Sequence, residues 1–497
     1  MKQPLSTKLG WYSYIFIGLT LLLAFVLTIR PPWDPDLGWH LRNGEDILRF
    51  GAPQGDLYSH TMSGYPWVSH EWLTDVLMYL AYHYWGLLFL SIFFALLAIT
   101  TYWIAARVSR ISYEATILSV LIATLVAYPV VGVRPQLLTL CGVAITLWVL
   151  FRWRANPRTN LIYWLIPLML LWANLHGGFA AGLILMGVFG VAELGKFIIR
   201  KLYFQANWPT LTANQLWQLV GVGLISGIVT LINPYTWRVY DELWRTLSND
   251  LVRSGISEWL PVTFNNANGL NLLLYAGLLG VLVAFSWRRT DITKIILAVV
   301  FFVVAISSWR NIPLFSLITL PLLADAIEVL LPGGISYYAK SIWVLLIIGT
   351  GVGYFGYHQY LNVVPATQSV VTLAQVSDYP EGAVKYIKEH QLSGRLFNEY
   401  NWGGYLIWQL PEKQVFIDGR MAIWQTADQD VFKEYQSLSD ADEPATTILN
   451  KYGVELALVY RQKTLANYFL RRADEWKVVY QDNISALFQR VAATVAQ

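Results

Sequence analysis

The sequence is poor in charge and nearly free of cysteine. Only 13% of its 497 residues are charged, and Cys141 is the single cysteine. One cysteine excludes an intrachain disulfide and any cysteine-rich metal centre. The 35 basic and 32 acidic side chains almost cancel, and no lysine- and arginine-rich block marks a nucleic-acid partner. A zinc-protease helix is missing too: His70-Glu71 begins such a motif, but position 74 is Thr74 rather than histidine. What the chain has instead is apolar sequence, 56% hydrophobic and 15% aromatic. Many runs approach the ~20 residues that a helix needs to cross ~30 Å of hydrocarbon. The many Trp and Tyr suit membrane–water interfaces. The composition describes a polytopic α-helical membrane protein rather than a soluble enzyme on one anchor.

Crossings are expected near 11–29, 86–107, 112–131, 134–152, 160–174, 176–199, 215–233, 269–287, 290–308, 310–329 and 340–358. The run 71–85 is helical in pattern but short. It reads either as a further short span or as a helix lying along the interface, which gives about 11–13 spans in all. The first run follows Lys2 and Lys8 and lacks a small-residue cleavage site, so it reads as a retained anchor. These spans make residues 1–360 a transmembrane domain with a first external loop at 30–72. Residues 361–497 are charged and mixed in pattern, as a soluble α/β domain is.

Lysine and arginine in short loops set the orientation. Lys2/Lys8, Arg107/Arg110, Arg152/Arg154/Arg158, Lys196/Arg200/Lys201 and Arg288/Arg289/Lys294 fall on one side if the N-terminus is cytoplasmic and 71–107 makes one net crossing. Every chemically unusual cluster then falls on the outer face: 34–48, "PWVSHEWL" (66–73), "GVRPQ" (132–136), "WANLHGG" (172–178), "LINPY" (231–235), "SGISEW" (254–259) and "SSWRNIP" (307–313). The C-terminal domain falls there as well. Polar groups at membrane depth are costly unless they face water, protein or ligand. A cavity shared by these clusters is one reading, and polar turns between helices are the other.

The stretch "DPDLGWHLRNGEDIL" (34–48) concentrates ionisable residues directly after the first span, which Pro31-Pro32 ends. Leu37, Leu41, Ile47, Leu48 and Phe50 pattern it as a short amphipathic helix on the outer interface, with Gly51 at its C-cap. Asp36 and His40, four apart, share a face. Helix capping accounts for one of Asp34 and Asp36. Two carboxylates with a histidine behind them also suit cation binding or general-base work. Asp34, Asp36, His40, His70 and Glu71 together form a candidate site for a divalent cation such as Mg or Mn.

These residues carry a resemblance. D36-LGW-H40-L-R42, then "EDILRFG", "GDLYS" (55–59) and "SHEWL" (69–73), resemble the first external loop of GT-C glycosyltransferases, and most closely the oligosaccharyltransferase catalytic subunit. "NEYNWGGYLIW" (398–408) is similar to that subunit's acceptor-recognition region, with Gly403 where the family has Asp. "WGGYLIW", "FIDGR" (416–420) and "NLHGG" (174–178) are similar to sequences in little-characterised bacterial membrane proteins. A second Asp-x-Asp on a later loop is missing, which speaks against protein N-glycosylation in particular.

The resemblance implies a GT-C-like transmembrane domain in the bacterial cytoplasmic membrane. It implies transfer of a sugar from a polyprenyl-phosphate-linked donor, a membrane lipid, to a glycan, lipid or protein acceptor at the outer face. Asp36 matches the family's catalytic carboxylate by position, with Asp34 second. A lipid-phosphate leaving group needs cationic stabilisation, and Arg134, Arg310 and His176 are the outer-face candidates. Each arginine also reads as an interfacial anchor.

In the C-terminal region, helical and strand patterns alternate. "GRLFNEY", "KQVFIDGR", "VELALVYR", "KVVYQDN" and "SALFQR" are the strands of an expected small, mostly parallel sheet. Asn398, Glu399, Asn401, Asp418 and Arg420 fall at strand ends, where open α/β sheets form ligand crevices. With Trp402 and Tyr405 they are the candidate acceptor-side residues. The alternative is that Asp418-Gly-Arg and Trp402-Gly-Gly are tight turns. Two other functions fit less well: a lipid or glycan transporter, disfavoured by scarce intramembrane charge, and a non-catalytic scaffold of envelope assembly.

Overall fold

The computed structural model describes residues 10–202, 209–330, 335–439 and 445–491. Lys2 and Lys8 lie outside them. In chain order the first helices are α1 (Trp11–Thr28), α2 (Leu37–Phe50), α3 (Trp72–Ala106), α4 (Tyr113–Ala127) and α5 (Gln136–Ala155). The chain divides into two compact units, Met1–Arg30 with Ser91–Thr236 and Ser254–Val363, and Pro31–Leu90 with Trp237–Arg253 and Val364–Gln497.

Each expected crossing is helical. Among the described residues, six helices are long and apolar enough to span a membrane: Trp11–Thr28, Trp72–Ala106, Gln136–Ala155, Gly177–Leu202, Ala267–Arg289 and Trp309–Leu330. Tyr113–Ala127, Asn160–Leu175, Ala213–Val229 and Ile292–Ser307 are shorter apolar helices. The last expected crossing is the 27-residue helix Ile342–Gln368. The runs 71–85 and 86–107 are two helices that meet at a break, as expected. They join in α3, whose backbone breaks at Gly86 with φ 75°, a left-handed conformation that glycine adopts without steric cost.

The first unit packs α4 against the almost fully buried helix Ile312–Leu330. Its buried charges are matched in pairs. Glu193, 0% exposed, accepts from Arg154 at 2.7 Å and faces Lys196 Nζ at 2.6 Å. Arg154 also pairs with Asp291, the N-cap of the helix Ile292–Ser307. Lys294 pairs with Asp325. A buried ion stays charged only where such partners replace its lost hydration.

In the second unit α2 is a short helix, as expected, and it is enclosed by protein. Leu37, Gly38, Trp39, His40, Leu41, Asn43, Gly44, Asp46 and Ile47 are all buried, and only the tip at Leu48–Phe50 is exposed. Two glycines explain how it is enclosed. A Cβ on Gly38 would lie 2.1 Å from the Gly404 carbonyl oxygen, and one on Gly44 would lie 2.1 Å from that of Asp75. The helix Gly403–Gln409 and α3 therefore approach α2 backbone to backbone. Gly51 ends α2 as expected, at φ 84°, with its N–H on the Ile47 carbonyl at 2.9 Å.

The sheet has four strands, β1 (Arg395–Asn398), β2 (Val454–Tyr460), β3 (Trp476–Gln481) and β4 (Ser485–Arg490), in the order β1-β2-β4-β3. Only β1 and β2 are parallel; β2–β4 and β4–β3 are antiparallel. The expected mostly parallel sheet is overturned by the β3–β4 hairpin, whose turn Asp482 fixes by accepting from the N–H groups of Ile484 and Ser485. "KQVFIDGR" is no strand either. Asn398 takes its place in the pairing: its side-chain amide accepts from Phe416 N–H at 2.8 Å and donates to the Ile417 carbonyl at 2.8 Å. The segment makes one parallel bridge, Ser59 to Val415. Asp418 then turns it into the short 3-10 helix Gly419–Ile423 by accepting from Arg420 N–H.

Candidate active site

The second unit gathers the acidic residues of the first loop at the start of α2. Asp34 and Asp36 do different work. Asp34 Oδ1 accepts from the Asp36 backbone N–H at 2.8 Å, closing the turn into the helix. Asp36 stands at the N-cap position yet makes no side-chain capping bond. Its carboxylate lies against Gly419 instead, where a Cβ would sit 1.9 Å from Asp36 Oδ1. Capping thus explains Asp34 and leaves Asp36 available. Burial, then the Asp34 charge, raise the Asp36 pKa to about 7, while His40 opposes them.

His40 is buried one helical turn later. Its Nδ1 lies 2.7 Å from Asp75 Oδ1, and its Nε2 lies 3.7 Å from Glu71 Oε2. Burial alone lowers its pKa. Asp75, Glu71 and Asp36 outweigh burial and raise it to about 9. Asn43 donates to Asp75 Oδ2 at 2.6 Å and to Ser69 at 3.0 Å. His70 Nε2 lies 3.7 Å from the other Glu71 oxygen. Of the five residues expected to hold a cation, His40 and Glu71 come together, joined by Asp75, with ligand atoms all within 4.8 Å of one another. Asp34, Asp36 and His70 are not in that group. One imidazole and two carboxylates are a donor set that fits a divalent cation.

Behind Asp36, Arg420 is the centre of a buried ion cluster. It binds Asp418 through Nε (2.7 Å) and Nη2 (2.6 Å), and Nη2 also reaches Asp56 at 3.0 Å. The rings of Trp67, Tyr58 and Trp424 surround its guanidinium at 4.5, 4.9 and 5.1 Å. The acceptor-side candidates divide accordingly. Asn401 is exposed, whereas Glu399, Trp402, Tyr405, Asp418 and Arg420 are buried. Tyr435 donates to Glu399 at 2.9 Å, Trp402 Nε1 donates to the Asp378 carbonyl at 3.0 Å, and Tyr405 stacks on Tyr379 at 4.7 Å.

The first unit assembles the cationic candidates around the N-terminal end of α5. Arg134 pairs with Glu258, and Arg310 lies 4.5 Å over the Trp259 ring. Gln136 donates to the Arg310 carbonyl at 3.3 Å. His176 Nδ1 accepts from Gly178 N–H at 2.8 Å and lies 2.7 Å from the Thr139 hydroxyl. An accepting Nδ1 places the ring proton on Nε2. The start of a helix adds a favourable field for an anion.

Asp75, Asn43, Asp56 and Gly419 were missed from sequence. The 71/75 spacing of two acids across one helical turn was a usable signal for Asp75. Gly419 carries no such signal, because its role is the absence of a side chain.

No protein-family model matches the sequence, and no curated protein is significantly similar to it. Solved structures are similar in fold. The Archaeoglobus fulgidus oligosaccharyltransferase, with a tethered acceptor peptide, aligns over 97% of this chain and 74% of its own at TM-score 0.54 and 12% identity. The same enzyme is also known in complex with zinc and sulfate. ArnT from Cupriavidus metallidurans, bound to undecaprenyl phosphate, aligns over 97% of this chain and 98% of its own, at TM-score 0.52 and 16% identity. The mycobacterial arabinofuranosyltransferase AftD aligns over 99% of this chain and 41% of its own, at TM-score 0.50 and 14% identity. With its membrane helices, its acidic first loop and its small C-terminal sheet, this chain has the GT-C glycosyltransferase fold.

Proposed function

We propose that the protein is a membrane glycosyltransferase that moves a sugar from a polyprenyl-phosphate carrier to an acceptor at the outer face, with Asp36 as general base. The observation that carries this is the carboxylate of Asp36, at a helix start but not used as a cap, beside a second carboxylate. A pKa near neutrality suits a group that must accept a proton and release it. Asp36 takes the proton of the acceptor's nucleophile as the new glycosidic bond forms, and the bond to the carrier phosphate breaks. The negative charge that grows on that phosphate needs cationic partners, a role the sequence reading assigns to Arg134, Arg310 and His176. The undecaprenyl phosphate and acceptor peptide held by the neighbours support a lipid carrier and an outer-face acceptor. The sidedness read from the loop charges supports an N-terminus inside and a C-terminal domain outside.

The test is turnover by purified protein in lipid, using a panel of polyprenyl-phosphate sugars and following release of free lipid phosphate. We expect turnover with one donor class, lost in Asp36→Asn and reduced in Arg134→Gln. Binding of no donor would turn the reading toward a scaffold. Turnover that survives Asp36→Asn would keep the reaction and remove Asp36 as its base.

A further inference from the structure

We propose that His40 and Glu71 hold a zinc-class divalent cation, with Asp75 fixing the His40 ring from behind. The site lies wholly within the second unit and does not depend on the transfer reaction. His40 Nδ1 meets Asp75 Oδ1 at 2.7 Å, so the Nδ1 proton is committed to that carboxylate and Nε2 is presented on the opposite side of the ring. Metal-binding histidines characteristically donate their second N–H to a carboxylate in this way, which fixes the tautomer and the ring plane. Trp39 holds the other face, its ring centroid 3.6 Å from that of His40.

Nε2 stands 3.7 Å from Glu71 Oε2. That is too long for a hydrogen bond. It is close to the ~3.4–3.7 Å between two ligand atoms that share one cation through bonds of ~2.0–2.2 Å. The second Glu71 oxygen has His70 Nε2 at the same 3.7 Å. The Glu71 carboxylate therefore has an imidazole nitrogen at ligand-sharing distance on each side. Asn43, only 1% exposed, bonds Asp75 and Ser69 through its Nδ2, while its Oδ1 has no hydrogen-bond partner. The amide thus leaves a buried acceptor at the edge of the cluster. Imidazole in the donor set favours zinc, cobalt or nickel over magnesium, which prefers oxygen ligands and keeps its water.

The experiment uses the full chain in nanodiscs, stripped with chelator and titrated with Zn²⁺ by calorimetry, then with Co²⁺ read by its visible absorption. We expect one Zn²⁺ per chain and a Co²⁺ spectrum of mixed nitrogen and oxygen ligation. Glu71→Gln and His40→Gln should weaken binding more than 100-fold, and Asp75→Asn by about 10–100-fold. Cys141→Ser should leave binding unchanged. If His40→Gln does not fold, Glu71→Gln decides, since its side chain is partly exposed. Failure to bind Zn²⁺ stoichiometrically would overturn the proposal. So would binding that survives Glu71→Gln, or Mg²⁺ competing with Zn²⁺ at equal concentration.

Discussion

Two of the buried groups of charge among the described residues are built on different terms. In the first unit, Arg154 and Lys196 face Glu193 and Asp291, two cations with two acids, each within an ion pair. In the second, the buried His40 imidazole is surrounded by Asp36, Glu71 and Asp75, with the half-exposed His70 beside Glu71. The balanced group meets the cost of burial by itself and ties the C-terminal end of α5 to the helices Ala180–Leu202 and Ile292–Ser307. The unbalanced group leaves negative charge that a proton, a cation or a substrate must answer. Under the proposed function the balanced group is assigned to structure and the unbalanced group to chemistry.

Substitutions can break this distinction. The largest effect is expected at the unbalanced group. Asp36→Asn should lower turnover by about 10²–10⁴-fold, the usual worth of a general base, with the melting temperature of the protein in detergent unchanged. A parallel loss of stability would place Asp36 with the structural charges. The mirror experiment is Glu193→Gln, which leaves Arg154 and Lys196 facing one acid. It should cost about 3–5 kcal/mol of stability, measured as lowered resistance to denaturant, while each folded molecule keeps its turnover. Next comes Gly404→Ala. Its Cβ would meet the Pro35 carbonyl oxygen at 2.2 Å, so overpacking should cost about 1–3 kcal/mol and shift the loop that carries Asp36, lowering turnover as well.

The smallest effect concerns pH. His60 is half-buried with Nε2 3.0 Å from the Leu396 carbonyl, and loss of solvent lowers its pKa below the ordinary 6.5. The folded state therefore disfavours its proton. Its contribution is intact above pH 6.5 and is lost as the pH falls toward the lowered folded value. His60→Gln should flatten the acid side of a stability–pH curve and leave the alkaline side unchanged.

Much of the fold was legible in the sequence because crossing a membrane demands long apolar runs, and these stand out whatever surrounds them. Gly51 as a C-cap was legible for the same local reason. What was not legible depends on residues far apart in sequence. Asn398 replaces a strand by hydrogen bonding to residues 416 and 417, and nothing in "KQVFIDGR" announces that its partner is a side chain. The amphipathic pattern of α2 announced a helix, but not that α3 at Asp75 and the helix Gly403–Gln409 would enclose it. At the site, the histidine and the first-loop acids were found by their chemical type, whereas Arg420 was expected to face an acceptor. Its side chain is 2% exposed, clasped by Asp56 and Asp418.

Gly38, Gly403, Gly404 and Gly419 each have a backbone or carboxylate oxygen where a side chain would begin. The motifs that make this chain recognisable, "WGGYLIW" and "FIDGR", are thus written largely by steric exclusion. A search keyed to them gathers proteins that fold their first loop in the same way, whatever sugar or acceptor each one handles. Sorting such a collection by substrate requires the positions where a side chain has room to vary, beginning with exposed Asn401 and the α2 tip at Leu48–Phe50.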